Sequence, residues 1–533
     1  MLDELGTRAG AGPTRAVTPI RAGIRALTAP PPAAVPPGDA PVSHRPRLAG
    51  AWRDPFVWAI SLAVLAAYLV ISLSRLARLD PASWDLAIYT EYVKQVAGLH
   101  APVADVRGPG FNMLGDHFQP IVMAIAPLFW VFGSAAALLV GQALLVALSV
   151  FAVAQAARDK LGPGPSRAVA LAYGFSWGLQ QLVSFDFHEL AFAVPLLAFS
   201  LSALVRGHLR AAVWWAVPLV FVKEDQGFTV AAIGLYLVLS GLRSTQGGRR
   251  VWAGQFLLIW GFAWSFLSIG VIIPHLNPDH VYAYWANGGI FASGGHLSVA
   301  GLAGQLAHAW PDKLQTVVAL LLPTAFIAAG SPLALIAVPG LLLRFTGTQP
   351  SYWGTGWHYN APLMPVLFIA AVDALARIGA AMDAYPGGGV TWASGRAGLR
   401  HAVAAGARRY GAAMMVAIVV VLAFQFPLSD LWHAGTYRTS AHVASAEAAM
   451  ARVPDGATVQ ATLDLLAPLA ARTDTFWIGN RGNPRTRYIV FDGQNSGYVP
   501  AITNVPAFIA ELYPGHVYTE IFASGGVYVF RRS

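Results

Sequence analysis

The chain contains no cysteine and little charge of either sign. Without thiols there are no disulfides, thiolate metal sites or cysteine nucleophiles, so any reactive site is built from oxygen and imidazole groups. Only 11% of the 533 residues are Asp, Glu, Lys or Arg, whereas 56% are hydrophobic, a balance that soluble domains do not have. The chain is therefore an integral membrane protein. Its formal net charge of +9 comes almost wholly from Arg. No aromatic and basic platform accompanies that charge, which argues against nucleic acid as a partner.

Residues 1–54 are rich in Pro, Ala and Arg and lack an apolar run long enough for a signal peptide. They read as a disordered tail. Arg45, Arg47 and Arg53 precede the first long apolar stretch, so the positive-inside rule keeps the amino end in the cytoplasm. A bilayer is crossed by about 20 apolar residues, and residues 55–76 supply the first crossing. Residues 78–118 are too polar to cross and form the first outer loop, within which Trp84 to Leu99 has the apolar spacing of an interfacial helix. Residues 120–133 are short and interrupted by Pro127, which predicts an interfacial or re-entrant helix.

Further crossings are expected at 135–157, 168–185, 190–205, 211–222, 228–242, 251–274, 314–329, 332–345, 362–382 and 411–426. This predicts about 11 spans, with Arg-rich turns inside and an outer carboxyl end. The expectation is an α-helical polytopic membrane domain over 55–428 in the cytoplasmic membrane, followed by a small extracytoplasmic α/β domain over 429–533. In that domain, strands are expected at 458–462 and 487–492, helices at 464–471 and 507–512, and a hairpin around Gly525-Gly526.

Read through these spans, the ionisable motifs share one membrane face: Asp85, Asp116-His117, Asp186-x-His188-Glu189, Lys223-Glu224-Asp225 and His358-Tyr359. A charge at the bilayer centre costs roughly 3 kcal/mol, so this concentration implies a polar cavity. Asp85 suits a general base at the membrane surface, or else Asp85 or Ser83 caps a helix. Asp186, His188 and Glu189 combine carboxylate and imidazole, which leaves open a divalent cation such as Mg, Mn or Ca or a network locking two outer loops. In Lys223-Glu224-Asp225 the charges either pair with one another or serve a phosphate and sugar hydroxyls. Trp357 fits an aromatic belt, and Tyr282, Tyr284 and Trp285 either stack on a sugar or, as the preferred reading, lie at the interface.

These motifs, taken in order as Trp84-Asp85-Leu86, Gly115-Asp116-His117-Phe118-x-Pro120, Asp186-Phe187-His188, Lys223-Glu224-Asp225 and His358-Tyr359-x-Ala361-Pro362, resemble the bacterial membrane proteins of domain-of-unknown-function family 2079. Glu189 stands where that family usually has Pro. The family is similar in architecture to GT-C type glycosyltransferases, which place an acidic residue in the first outer loop. Asp85 matches that position best and Asp116 second. The resemblance implies a polyprenyl-phosphate-linked sugar donor, with a glycan or protein acceptor, used at the outer face of the cytoplasmic membrane. Asp85 and Asp116 would be catalytic, His117, Lys223, Glu224, Asp225, His358 and Tyr359 would bind substrate, and Asp186, His188 and Glu189 would hold a metal. A transporter or flippase of a polar solute and a non-catalytic envelope-assembly protein are the rival readings.

Overall fold

The computed structural model describes residues 49–81, 83–284, 299–384, 396–496 and 502–533. Most of the tail expected over 1–54, with Arg45 and Arg47, and the loop aromatic Trp285 lie outside these residues. Proline and capping residues decide where the apolar runs begin. At the first, the Asp54 side chain accepts a hydrogen bond from the Phe56 amide and Pro55 occupies the first turn of helix Pro55–Ala77. Five helices are long and apolar enough to cross a membrane: Pro55–Ala77, Ala136–Leu161, Gly248–Leu276, Leu363–Asp383 and Ala402–Ala423. Shorter apolar helices occupy Pro120–Phe132, Leu190–Val205, Leu209–Phe221, Gln226–Leu242 and Pro332–Phe345.

Two of the expected crossings are broken. Residues 168–185 form two helices, Pro163–Gly174 and Trp177–Ser184, and residues 314–329 begin as a helix, Trp310–Leu321, and continue in short 3-10 turns. Pro120–Phe132 starts as 3-10 turns before becoming α-helical. Small residues bring one helix pair unusually close. A Cβ added at Gly227 would lie 2.3 Å from the Gly261 carbonyl oxygen, and one added at Gly234 would lie 2.6 Å from that of Gly254. Glycines seven apart on each helix let Gln226–Leu242 and Gly248–Leu267 pack backbone against backbone. The turn just before the first of these helices carries Lys223 and Glu224.

The carboxyl-terminal domain is a five-stranded sheet in the order β2-β1-β3-β5-β4, where β1 is Thr458–Ala461, β2 Asp474–Trp477, β3 Tyr488–Asp492, β4 Tyr518–Ser524 and β5 Val527–Arg532. β1 pairs in parallel with both β2 and β3, whereas β5 is antiparallel to β3 and β4. The strands at 458 and 488 and the terminal hairpin lie where the sequence put them. β2 and helix Ala441–Met450 were not anticipated, because four-residue and alanine-rich stretches carry little periodicity.

This domain is seated on the loop helix Asp85–Ala97. Lys94 Nζ donates to the Thr473 carbonyl at 2.7 Å, Asn480 Nδ2 donates to the Val106 carbonyl at 2.8 Å, and Trp84 meets Trp477 edge to face. Glu91 is buried in the seam and accepts from the amides of Val106 at 2.9 Å and Thr475 at 3.3 Å. The domain and the 78–118 loop thus share one end of the bundle. At the first turn of Pro55–Ala77, Asp54 instead meets Arg158 and Arg167.

Candidate functional site

Each ionisable motif falls in a turn where a helix begins, and the bundle turns these helix starts toward a common space. Asp85 opens the loop helix. Its amide donates to Ser83 Oγ at 3.0 Å, so Ser83 caps locally and the Asp85 carboxyl faces the space. Asp116 and His117 follow a single 3-10 turn anchored by Asn277, whose Nδ2 donates to the Gly115 carbonyl at 2.9 Å. Glu189 precedes helix Leu190–Val205 and Lys223-Glu224-Asp225 precede Gln226–Leu242. His358 and Tyr359 sit on the turn before Leu363–Asp383.

The result is a cavity of about 440 Å³ lined by Asp85, Asp116, His117, His188, Lys223, Glu224, Asp225, His358 and Tyr359, together with Tyr89, Tyr282, Tyr284 and Arg344. Its volume lies in the range of small-ligand sites. One wall is a chain of hydrogen bonds. Tyr89 Oη and His188 Nδ1 both meet Glu189 Oε2, the latter at 2.9 Å, and Lys223 Nζ donates to Glu189 Oε1 at 3.0 Å. Lys223 also reaches His117 Nε2 at 3.3 Å, and His117 Nδ1 donates to Glu224 Oε1 at 2.7 Å. Glu224 additionally accepts from the Phe118 amide and from Tyr282 Oη. The charges of Lys223-Glu224 therefore pair across elements rather than within the triplet.

A second wall is aromatic and cationic. The rings of His188 and His358 stack with centroids 3.6 Å apart. Burial pushes the His188 imidazole down to about 4 and holds His358 well below its ordinary value, so both are neutral at pH 7. Among the described residues neither ring nitrogen of His358 has a hydrogen-bond partner. Arg344 bonds the carbonyls of Tyr352 and Tyr359 and the side chain of Asn360, yet its buried Nη2 has no partner among the described residues. An unmade bond on a buried cation costs free energy unless a ligand completes it. Arg344 was missed in the sequence although an Arg inside an otherwise apolar run is itself the signal. Tyr89 is one helical turn beyond Asp85 and was legible from that spacing.

Asp85 differs from Glu189 and Glu224, whose carboxyls, despite burial, are held low by their cationic partners, and like Asp225 it is raised by burial. Burial pushes its carboxyl up to about 6, opposed by the bond to Ser83 and by Lys223 and assisted by the charges of Glu189 and Asp186. A carboxylate of that strength is a competent proton acceptor near neutral pH.

Tyr282 and Tyr284 are not simple interface residues: Tyr282 bonds Glu224 at 2.8 Å, while Tyr284 stacks on His117 and lies 3.4 Å from both Asp116 oxygens. Asp186, His188 and Glu189 do not converge as cation ligands. Both Glu189 oxygens are engaged by protein donors, and His188 Nδ1 is turned onto Glu189. Asp186 adopts a left-handed backbone, φ 80°, with its carbonyl on Gln142 Nε2 and Oδ2 3.4 Å from the Ser83 amide. Among the described residues these three side chains are held by protein partners and are not gathered around a common point. Trp357, expected in an aromatic belt, lines the cavity beside Phe185.

A family model described as predicted membrane protein (DUF2079) matches residues 75–494. The fold is like that of ArnT. Its crystal structure from Cupriavidus metallidurans bound to undecaprenyl phosphate superposes with TM-score 0.52 at 16% identity, covering 90% of this chain and 98% of that one. The apo form of ArnT gives 0.47 at 14% identity over 89% and 97%. The archaeal oligosaccharyltransferase AglB from Archaeoglobus fulgidus, in complex with an inhibitory peptide and a dolichol-phosphate, gives 0.39 at 13% over 89% and 74%. No curated protein matches the sequence.

Proposed function

We propose, from the premise that the chain belongs to the DUF2079 family of predicted membrane proteins, that it is a membrane glycosyltransferase taking its sugar from a polyprenyl-phosphate donor at the outer face of the cytoplasmic membrane. The observation that carries this reading is the pairing, in one cavity, of a proton-accepting carboxyl at Asp85 with the cations Lys223 and Arg344. The shared fold with ArnT, whose structure holds undecaprenyl phosphate, supports the choice of donor class.

The acceptor hydroxyl would bond to Asp85, which takes its proton as the oxygen attacks the anomeric carbon. The bond from that carbon to the phosphate oxygen breaks on the opposite face, inverting the centre and releasing polyprenyl phosphate. Charge grows on the departing phosphate, where Lys223, the free Nη2 of Arg344 and a neutral His358 N–H would stabilise it. Asp116, His117, Glu224, Asp225 and Tyr359 would orient the sugar. The lipid tail remains among the apolar helices.

Comparative lipid and glycan profiling of cells lacking the chain and of cells carrying Asp85→Asn tests this. The expected result is the same missing sugar modification in both, with normal amounts of the variant in the membrane. Asp85→Asn cells that match wild type in every glycan would overturn the reading.

A further inference from the structure

The carboxyl-terminal domain carries a second cluster, His442, Asp464 and Asp492, none of which lines the cavity. It lies where chemistry commonly gathers in parallel sheets, outside the carboxyl ends of neighbouring strands. Asp464 stands three residues after β1, and Asp492 ends β3, its parallel neighbour. His442 is delivered by helix Ala441–Met450, which packs against β5.

The hydrogen bonds leave three donor atoms facing one another. Asp492 Oδ1 is satisfied by the amides of Gln494 and Asn495 at 2.7 and 3.2 Å, leaving Oδ2 for His442. His442 Nδ1 lies 2.8 Å from the Gly525 carbonyl, and since a carbonyl cannot donate, the proton is on Nδ1. A neutral imidazole in that tautomer presents its Nε2 lone pair to the Asp492 carboxylate 2.5 Å away, with Asn495 Nδ2 at 3.4 Å. Two lone pairs at that distance require a proton or a metal cation between them. Asp464 is 4% exposed; its Oδ1 takes a bond from Thr462 Oγ1, its buried Oδ2 has no donor among the described residues, and its carboxyl lies against that of Asp492. One donor atom from each of the three residues falls within 4.8 Å of the others.

We propose that His442 Nε2, Asp464 Oδ2 and Asp492 Oδ2 form a binding site for a divalent transition-metal cation of the zinc type. Imidazole among the donors favours zinc over the harder magnesium and calcium ions. Three protein ligands leave a fourth position for water or an acidic ligand. The Gly525 carbonyl plays the part that outer partners play in such sites, fixing the tautomer and the ring. Donor–metal distances near 2.1 Å require the His442–Asp492 contact to open by less than about 1 Å as the cation enters. The bound ion would tie helix Ala441–Met450, the first regular element of the domain, to the strands that rest on the outer loop.

The test uses the full chain in detergent, purified without chelator, with metal content measured by mass spectrometry. Cobalt(II) is then titrated into chelator-treated protein and followed by its visible absorption. Wild type is expected to hold one equivalent, and His442→Ala and Asp464→Asn to lose at least about 10-fold in affinity. His442 is partly exposed on a helix, so His442→Ala keeps the test open if Asp464→Asn fails to fold. The absence of saturable cobalt uptake by wild type, or uptake unchanged in His442→Ala, would overturn the proposal. A shared proton and an imidazolium would then account for the cluster.

Discussion

At the scale of single residues, the cavity separates its ionisable groups by environment. Glu189 and Glu224 are each saturated with donors, whereas Asp85 is half-buried with one hydroxyl neighbour and its carboxyl is pushed up to about 6. If Asp85 must be ionised to accept a proton, transfer rises with pH through about 6 and levels off above it; the pH profile of kcat/KM in purified protein checks this. A rate independent of pH between 5 and 7 would remove Asp85 from that role. Lys223 and Glu224 were legible as ionisable groups breaking an apolar run, and Asp85, His117 and His358 as ionisable residues in the loops between such runs. Their partners were not. Nothing in the sequence says that Lys223 reaches Glu189 or that Tyr284 lies on His117, since those contacts join residues 34 and 167 positions apart.

Helices, rather than residues, set the depth at which Lys223 and Glu224 stand. The glycine faces of Gln226–Leu242 and Gly248–Leu267 remove side-chain bulk where the backbones touch, and Ser265 Oγ donates to the Glu224 carbonyl at 2.6 Å from the second helix. Gly234→Leu would force these helices apart at a cost of about 3 kcal/mol or more, in line with overpacked cores. It is expected to lower the Tm in detergent, whereas Gly248→Ala, where nothing stands within 4 Å of the added carbon, should leave it nearly unchanged. Unbroken apolar runs such as 55–77 and 363–383 could be read from length alone. The kinked ones could not, because 3-10 turns at 217–221 and 332–337 keep the composition of a span while changing its path.

In the whole molecule, the 78–118 loop and the carboxyl-terminal sheet pack against one another. Glu91 lies in their seam. Burial, only partly offset by the Val106 amide and by Lys94, pushes its carboxyl up to about 8. The folded protein therefore holds a proton there that the unfolded chain releases near its ordinary value, so this contribution to stability is present at low pH and is lost as pH rises through about 8. Tm should fall between about pH 5 and 8 and level off above that, and Glu91→Gln should flatten the fall. The carboxyl-terminal sheet was legible in the drop of hydropathy after residue 428, but its seat on the loop was not, since Lys94 and Thr473 are 379 residues apart. The account as a whole rests on sugar transfer at Asp85. Purified protein, given polyprenyl-phosphate sugars extracted from cells lacking the chain and an envelope glycan acceptor, should release free polyprenyl phosphate. Asp85→Asn should lower that release by about 100-fold or more while still binding the lipid; release by the variant at the wild-type rate, or none from wild type, would contradict it.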